Sequence, residues 1–272
     1  MKTLEQTQSW PAENVSAAVI AADGTVLGTA GDQQKRFPLA SVTKLLSAYA
    51  YQVALEEEAL SLDDPAGPEN STVRHLLAHT GGYDFGDRTV RYEPGTRRLY
   101  SNAGFEVLGE TLEHATGIPF ADYLQEAVLA PLGMKDSSLE GSPAAGAVST
   151  AADLSRFAAE LQNPTLISAD SLAAATSVVF PGLAGVLPGF GRQKENDWGL
   201  GFEIRNGKSP HWTGQDNSPK TFGHFGQSGT FLWVDPELKT AAVALTNRDF
   251  GPWAAEAWPL YNDALVAELR SS

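Results

Sequence analysis

Two side chains that could act together in catalysis, Ser41 and Lys44, stand three residues apart in the apolar run FPLASVTKLLSAYAYQVAL, residues 37–55. Residues at this spacing lie on the same face of a helix, so the hydroxyl and the amine would be neighbours. A serine hydroxyl is a weak nucleophile until a nearby base takes its proton. A lysine amine becomes that base when its pKa falls from about 10.4 by several units, which burial produces. The pair therefore indicates covalent catalysis, with Ser41 as nucleophile and Lys44 as base.

The position of Ser41 in the predicted helix adds to this interpretation. Pro38 stands just before the first turn, where proline is favoured, so Ser41 falls at the start of the helix. Backbone N–H groups and the positive end of the helix dipole at that point suit a developing oxyanion. The alternative is a lysine whose stem lies along the surface and whose amine reaches water. A chain of 272 residues contains roughly one S-x-x-K by chance, so further motifs must decide.

The fold class follows from where strand and helix patterns occur. Residues 15–30 form two apolar runs around Asp23-Gly24, which is typical of a β-hairpin. The pattern from 45 to 180 is mostly helical, and a helix is predicted around LYNDALVAEL near the C-terminus. Strand patterns return in the C-terminal part as WGLGFEI, TFGHFG, GTFLWVDP and TAAVALTN. We predict an α+β fold, with an antiparallel sheet built from N- and C-terminal segments, flanking helices and an inserted all-helical domain.

The same change of pattern predicts the domain boundaries. A Gly/Pro-rich passage at 180–191 separates the helical region from the later strands. We expect a discontinuous sheet domain formed by residues 1–44 and 186–272, and a helical domain formed by residues 45–185. The active site would lie between the two.

Several motifs together resemble one known superfamily. They occur in a single order along most of the chain: ASVTK (40–44), LLAHTGG (76–82), EPGTRRLYSNAGFEVLGETLEHATG (93–117), PLGM (131–134), STAADLSRF (149–157) and GHFGQSGT (223–230). This series resembles the serine β-lactamase and penicillin-binding-protein-like superfamily, in its class C β-lactamase-type and esterase branch. The resemblance implies a β-lactamase/transpeptidase-like fold and a serine hydrolase that works through an acyl-enzyme.

The resemblance also implies roles for four residues. Ser41 would be acylated and Lys44 would accept its proton. Tyr100 would pass protons to the leaving group and activate the deacylating water, while the Asn102 amide would orient the substrate and Lys44. A phenol of ordinary pKa is a poor base, but a neighbouring ammonium would lower that pKa. We therefore expect the pKa of Tyr100 to be lowered by Lys44.

The segment His224-Phe225-Gly226 stands where many relatives have Lys-Thr-Gly on the strand that lines the site. Gly226 would allow close approach of the ligand, and the N–H of Gln227 would form the oxyanion hole together with that of Ser41. A lysine offers a permanent cation to a substrate carboxylate, whereas histidine is mostly neutral near pH 7. The resemblance, with His224 at this position, therefore favours esters or amides that lack a carboxylate.

Two other motifs are weaker candidates. His75 and His79 have an i, i+4 spacing that could bind zinc, but Leu76 stands where the metalloprotease motif requires glutamate. Ser228, in GQSG, lacks the spacing of the nucleophile elbow and follows a strand pattern without a helix after it. We expect no metal and no cofactor, and we reject Ser228 as nucleophile.

Composition limits the partners. The net charge is −14 and no basic run is present, so nucleic acid and anionic membranes are poor partners. The acidic balance instead suggests a neutral or cationic substrate. Without cysteine, thiol catalysis is excluded. The N-terminal residues lack the apolar core of a secretion signal, and no run reaches membrane-spanning length, so we expect a cytoplasmic protein.

The sequence therefore predicts a serine hydrolase that acts on a small-molecule ester, amide or lactam through an acyl-enzyme at Ser41. Small esters or amides are the preferred substrates. A true β-lactamase or a D-Ala-D-Ala carboxypeptidase is the first alternative. A non-catalytic ligand-binding protein of the same fold is an alternative of another class.

Overall fold

A six-stranded antiparallel sheet runs through the protein, whose residues 1–271 are described by a computed structural model. The strands are β1 (Val15–Ala21), β2 (Val26–Ala30), β3 (Phe37–Pro38), β4 (Ser138–Leu139), β5 (Ala147–Ser149), β6 (Gly185–Leu187), β7 (Gly191–Gln193), β8 (Glu203–Ile204), β9 (Phe222–Gly226), β10 (Thr230–Asp235) and β11 (Thr240–Thr246). The helices are α1 (Thr43–Glu56), α2 (Val73–Leu77), α3 (Asn102–Thr116), α4 (Phe120–Leu124), α5 (Ala151–Glu160), α6 (Ala169–Ala175) and α7 (Pro252–Arg270).

The large sheet joins the two ends of the chain. Its strand order is β2-β1-β11-β10-β9-β8. Strand β1 pairs with β11 along its whole length, with Val15 opposite Thr246 and Ala21 opposite Thr240. The predicted α+β class, with an antiparallel sheet built from N- and C-terminal segments, is therefore confirmed.

Helices cover both faces of this sheet. On β10, Leu232 and Val234 face a core shared with α1 and α5, whereas Phe231 and Trp233 face a second core beneath α7. Successive strand residues point to opposite faces, so a strand covered on both sides buries every residue. All residues of β9, β10 and β11 are buried accordingly.

Helix α1 lies within the first core. It packs against β9 on one side and against α3, α4 and α6 on the others. Every residue of α1 from Thr43 to Ala54 is buried, although only one of them, Lys44, is charged. Burial of Lys44 is therefore set by the position of the whole helix.

Three local predictions need correction. Pro38 does not open a helix but ends β3, because Phe37 and Pro38 pair with Ser149 and Val148 of β5 in a small three-stranded sheet, β3-β5-β4. Ser41 consequently lies in a 3-10 turn, and α1 begins after it. The WGLGFEI segment contributes only the two residues of β8 to the sheet, because Trp198 to Phe202 fold back on themselves through a hydrogen bond from the Gly199 N–H to the Phe202 carbonyl.

The region between residues 45 and 185 contains most of the helices and also the short strands β4 and β5. Its separation from the rest as a domain stays a prediction. Within residues 1–271, every helix is too short or too polar to cross a lipid bilayer.

We predict that Asn262→Leu lowers the free energy of unfolding by about 2 kcal/mol, because two buried groups lose their partner. The Asn262 amide accepts a hydrogen bond from Trp233 Nε1 at 2.9 Å and donates one to the Trp212 carbonyl at 3.2 Å, which fastens α7 to the sheet. Urea denaturation measures the change. The exposed α7 residue Glu256, changed to Gln, is the control and should stay within about 0.5 kcal/mol of wild type. Equal unfolding curves for all three proteins would contradict this account of α7.

Candidate active site

A tight turn between β3 and α1 presents Ser41. Its backbone is unusual at Ala40, where φ is 45°, in the left-handed region that alanine rarely adopts. Such a conformation costs about 1–3 kcal/mol and persists only where the surroundings enforce it. Here Thr230 Oγ1 donates to the Leu39 carbonyl at 2.8 Å and Ser228 Oγ donates to the Pro38 carbonyl at 2.7 Å. The turn is therefore held by Thr230 at the start of β10 and by Ser228 in the loop before that strand.

The amine of Lys44 lies beside Ser41 and among neutral oxygens. Its Nζ is 3.3 Å from Ser41 Oγ, 2.6 Å from Asn102 Oδ1 and 2.8 Å from the Ala144 carbonyl oxygen. The Tyr100 ring lies under it, with 4.7 Å between Nζ and the ring centroid. Burial of this side chain lowers the pKa of Lys44 well below its ordinary value, and the negative charge of Glu106 offsets only part of that effect. The Lys44 amine beside the Ser41 hydroxyl therefore gives up its proton more readily than an ordinary lysine.

Tyr100 is brought to Ser41 by the start of α3. Its hydroxyl lies 2.8 Å from Ser41 Oγ. The next residue, Ser101, is the N-cap of α3 and accepts a hydrogen bond from the Gly104 N–H at 3.1 Å, which fixes the backbone at this point. Asn102, the first residue of α3, faces Lys44 as described above.

The expected lowering of the Tyr100 pKa is wrong. Burial raises the pKa of Tyr100 above its ordinary value, and the hydrogen bond to Ser41 opposes this only in part. Tyr100 therefore stays a protonated phenol, suited to donating a proton.

An aromatic wall lies behind Tyr100. The ring of His79 packs at 4.5 Å from that of Tyr100, and the ring of Trp198 at 5.8 Å, measured between centroids. Trp198 also lies 5.3 Å from the ring of His224. His79 accepts a hydrogen bond from the Ser101 N–H at Nδ1, with 3.2 Å between the nitrogens. The wall thus positions Tyr100 in two ways. His79 and Trp198 pack against its ring, and His79 also binds the backbone N–H of the next residue, Ser101.

His224 lies on β9 at the edge of the site. Its Nδ1 is 2.5 Å from the Phe225 carbonyl oxygen and therefore carries the proton, which leaves Nε2 as an acceptor. That Nε2 lies 3.3 Å from the Tyr100 hydroxyl. Burial lowers the pKa of His224 to about 3. The imidazole is therefore neutral throughout the physiological pH range.

Gly226 and Gln227 lie against the Ser41 turn. A Cβ at Gly226 would come within 2.3 Å of the Leu39 carbonyl oxygen and 3.2 Å of the Ala40 Cβ. Glycine at 226 is therefore required by the close approach of the turn, whereas the prediction assigned it to close approach of a ligand. Because Gly226 lies against Ala40, the next residues of the two segments, Gln227 and Ser41, are neighbours at this point.

The remaining candidates do not join this cluster as reactive groups. His75 and His79 point apart, since the ring of His75 stacks on Phe180 at 4.8 Å while His79 faces Tyr100. Among residues 1–271, no group of three or more His, Asp or Glu side chains is arranged to hold a metal ion. Ser228 donates to the Pro38 carbonyl, with Thr230 Oγ1 3.3 Å away and no basic group among its hydrogen-bond partners.

A second buried charge cluster lies behind the wall, and no motif pointed to it. Glu203 Oε1 accepts hydrogen bonds from Lys208 Nζ at 3.0 Å and from His211 Nε2 at 2.9 Å. Its Oε2 accepts one from Trp212 Nε1 at 2.9 Å. Burial alone would raise the pKa of Glu203, but the adjacent Lys208 and His211 outweigh it and lower the pKa. This cluster holds β8 to the loop before β9.

Comparison with known proteins agrees with this geometry. The family model described as Beta-lactamase matches residues 12–266. A crystal structure of a β-lactamase from Mycobacterium bovis has a TM-score of 0.96 and 56% sequence identity, over 98% of this chain and 99% of its own. The octameric penicillin-binding protein homologue from Pyrococcus abyssi has a TM-score of 0.76 and 20% identity, over 97% and 75% of the two chains. The latter likeness concerns the fold alone.

A curated relative shares a shorter stretch. The D-alanyl-D-alanine-carboxypeptidase/endopeptidase AmpH of Escherichia coli is 40% identical over 54 residues, which are 20% of this chain and 14% of that protein. Taken together, the comparisons confirm the predicted superfamily and its β-lactamase/transpeptidase-like fold.

We predict that the stability difference between wild type and Lys44→Met depends on pH. Below about pH 10.4 an unfolded chain holds this lysine protonated. Above the lowered folded-state pKa the native protein holds it neutral, so folding releases a proton and wild-type stability rises with pH across that window. The free energy of unfolding of Lys44→Met minus that of wild type should therefore fall between pH 6 and pH 10, by at most about 1.4 kcal/mol per unit.

Urea denaturation at successive pH values measures this difference. The control is Lys194→Met, which removes an exposed lysine and should show no such trend. A difference for Lys44→Met that stays constant with pH would show that the folded protein holds Lys44 charged.

Proposed function

Because this chain belongs to the Beta-lactamase family, we propose that it is a serine hydrolase that forms an acyl-enzyme at Ser41 and cleaves small esters or amides. One observation carries the proposal. The Lys44 amine and the Tyr100 hydroxyl both converge on Ser41 Oγ, at 3.3 Å and 2.8 Å.

The hydrogen-bond arrangement around Lys44 supports its role as base. A neutral amine has two hydrogens and one lone pair. The Asn102 amide oxygen and the Ala144 carbonyl oxygen lie at the two shorter distances and accept hydrogen bonds from the amine. When Lys44 is neutral, its lone pair is left for the Ser41 hydroxyl, 3.3 Å away. In that state Lys44 can act as base, and Asn102 and Ala144 keep it aimed at the nucleophile.

The acylation step follows from these positions. Lys44 takes the Ser41 proton as Oγ attacks the substrate carbonyl, and the oxyanion that forms is held by the N–H groups of Ser41 and Gln227. Tyr100 gives its proton to the departing oxygen or nitrogen and regains one from the Lys44 ammonium. Both residues end the step in the state in which they began it. Water then attacks the acyl-enzyme and the same transfers run in reverse.

His224 affects which substrates can bind on its side of the site. A lysine at this place would offer a permanent positive charge to a carboxylate next to the scissile bond, but the pKa of His224 is about 3. The neutral imidazole instead offers Nε2 as an acceptor toward Tyr100, at 3.3 Å. This supports esters or amides with no carboxylate beside the reacting carbonyl.

A β-lactamase or D-Ala-D-Ala carboxypeptidase activity is the second candidate. It is favoured by the 56% identity to the structure from Mycobacterium bovis described as a β-lactamase. Turnover of nitrocefin or of a D-Ala-D-Ala peptide faster than that of p-nitrophenyl acetate would place this candidate first.

We predict that Ser41→Ala abolishes both p-nitrophenyl ester turnover and labelling by a fluorophosphonate probe, because no other serine of the site has a neutral amine beside it. Intact-mass spectrometry after brief exposure should show one adduct on wild type and none on Ser41→Ala. Ser228→Ala is the matched control and should still be labelled. Ester turnover by Ser41→Ala within a few-fold of wild type would contradict the assignment of Ser41 as nucleophile. A wild-type protein that the probe does not label would favour a non-catalytic binding protein.

We predict that Tyr100→Phe lowers kcat/KM for esters by about 10²- to 10⁴-fold, the usual contribution of a general acid or base. Phenylalanine keeps the ring on His79 and Trp198, so thermal stability should change little. Tyr261→Phe is the control, because that buried hydroxyl lies on α7 and has no hydrogen-bond partner among residues 1–271. Steady-state kinetics test both variants. Activity of Tyr100→Phe equal to that of the control would remove Tyr100 from the mechanism.

A further inference from the structure

A cavity adjoins Tyr100 on the side away from the sheet. Its volume is about 280 Å³. It is lined by Phe85, Tyr92, Arg97, Arg98, Leu99, Tyr100, Ala184, Gly185, Val186, Pro188 and Arg192. Tyr100 belongs to both the cavity and the catalytic cluster, so a molecule whose scissile bond lies at Ser41 can extend into this space.

The cavity is apolar and its apolar side chains are open to solvent. Phe85 is 54% exposed, Tyr92 40% and Val186 61%, which are high values for such residues. The ring of Phe85 stacks near that of Tyr100, with 5.9 Å between centroids. Exposed apolar surface gathered around a concave site marks a binding site.

Two arginines of this cavity differ from all others in the chain. Every other arginine of residues 1–271 makes a hydrogen bond or an ion pair with a carboxylate, a hydroxyl or a backbone carbonyl. The side chains of Arg97 and Arg192 make no hydrogen bond and no ion pair within the described part of the chain. Arg97 lies over the ring of Tyr92, at 5.0 Å from its centroid. The net charge of the protein is −14, so acidic side chains are plentiful. Two arginines on one cavity that lack an acidic partner therefore indicate a site for an anionic ligand.

Both arginines are held at the cavity by neighbouring backbone. Arg98 is buried and donates to the carbonyls of Ala78 at 2.5 Å and Asn196 at 2.9 Å, so it anchors the segment without facing a ligand. The Arg98 N–H donates to the Ala184 carbonyl at 3.2 Å, which attaches the β6–β7 hairpin to this segment. Arg192 lies on that hairpin, in β7.

We propose that the substrate carries a carboxylate on an apolar group remote from the scissile bond, and that Arg97 and Arg192 bind this carboxylate. A guanidinium matches a carboxylate with paired N–H donors, and the aromatic floor accommodates the apolar part. The proposal rests on the proposed function and specifies its substrate class. It replaces the expectation of a neutral or cationic substrate, which rested on net charge alone, and it leaves the neutral His224 side of the site as described.

Matched pairs of esters test the proposal. One pair is 4-acetoxybenzoate and 4-acetoxybenzamide, with the carboxylate on the leaving group. The other is the p-nitrophenyl monoester of adipic acid and its terminal amide, with the carboxylate on the acyl group. Wild type should prefer the carboxylate member of at least one pair in kcat/KM by roughly 10- to 100-fold, the range of a charged hydrogen bond.

Substitution identifies the residues responsible. Arg97→Gln and Arg192→Gln should each reduce the preference, and the double variant should bring it close to one. Turnover of the neutral amide members should fall by a smaller factor than turnover of the carboxylate members in all three. Lys194→Gln is the matched control, because it removes a positive charge from the residues just after β7 without touching the cavity, and it should keep the preference.

Equal turnover of both members in both pairs would overturn the proposal, as would a preference that survives the double substitution. Calorimetric titration of Ser41→Ala with 4-acetoxybenzoate separates this failure from failure of the proposed function. If wild type hydrolyses no ester, binding of 4-acetoxybenzoate that is lost with Arg97→Gln and Arg192→Gln still supports the carboxylate site. Binding that the two substitutions leave unchanged overturns it.

Discussion

Burial of the Lys44 amine among neutral groups is the constraint on which the site depends. The protein has a second fully buried lysine, Lys208, whose amine lies 3.0 Å from a carboxylate oxygen of Glu203. Attraction to that carboxylate offsets part of the burial effect and keeps the pKa of Lys208 nearer its ordinary value. Lys44 has only neutral oxygens at hydrogen-bond distance, from an amide, a backbone carbonyl and the Ser41 hydroxyl, so nothing comparable supports its charge. The choice of partner thus separates a structural lysine from one that can serve as a base.

The aromatic wall behind Tyr100 keeps the reacting groups in position. Trp198 packs against the rings of both Tyr100 and His224, and the Lys208 amine lies 5.7 Å from the centre of the Trp198 ring. The Glu203 carboxylate accepts three hydrogen bonds and fixes the region next to Trp198. Fully satisfied buried networks are rigid, and rigidity keeps donors aimed before a substrate arrives. The charged cluster therefore supports the site through Trp198.

Much of the site could be predicted from the sequence, because reactive side chains at fixed spacing leave a recognisable pattern. Ser41 with Lys44, and Tyr100 with Asn102, are such patterns. The Ala144 carbonyl was not predictable, since every residue has one and only the fold decides which faces Lys44. The direction of the Tyr100 pKa shift was missed because it depends on how deeply the fold buries the phenol. The unpaired state of Arg97 depends on which acids fold nearby, and the composition does not show that.

The hydrogen bonds that hold the Ser41 turn join residues 190 and 191 positions apart, from Ser228 and Thr230 to Pro38 and Leu39. Contacts of such separation form late, since a long loop must close before they contribute. A chain still growing on the ribosome already contains Ser41, Lys44 and Tyr100, but it lacks β9, β10 and β11. Its serine then has only the reactivity of a free alcohol. The catalysis proposed for Ser41 therefore requires completion of the large sheet, and an unfinished chain is not expected to form an acyl-enzyme.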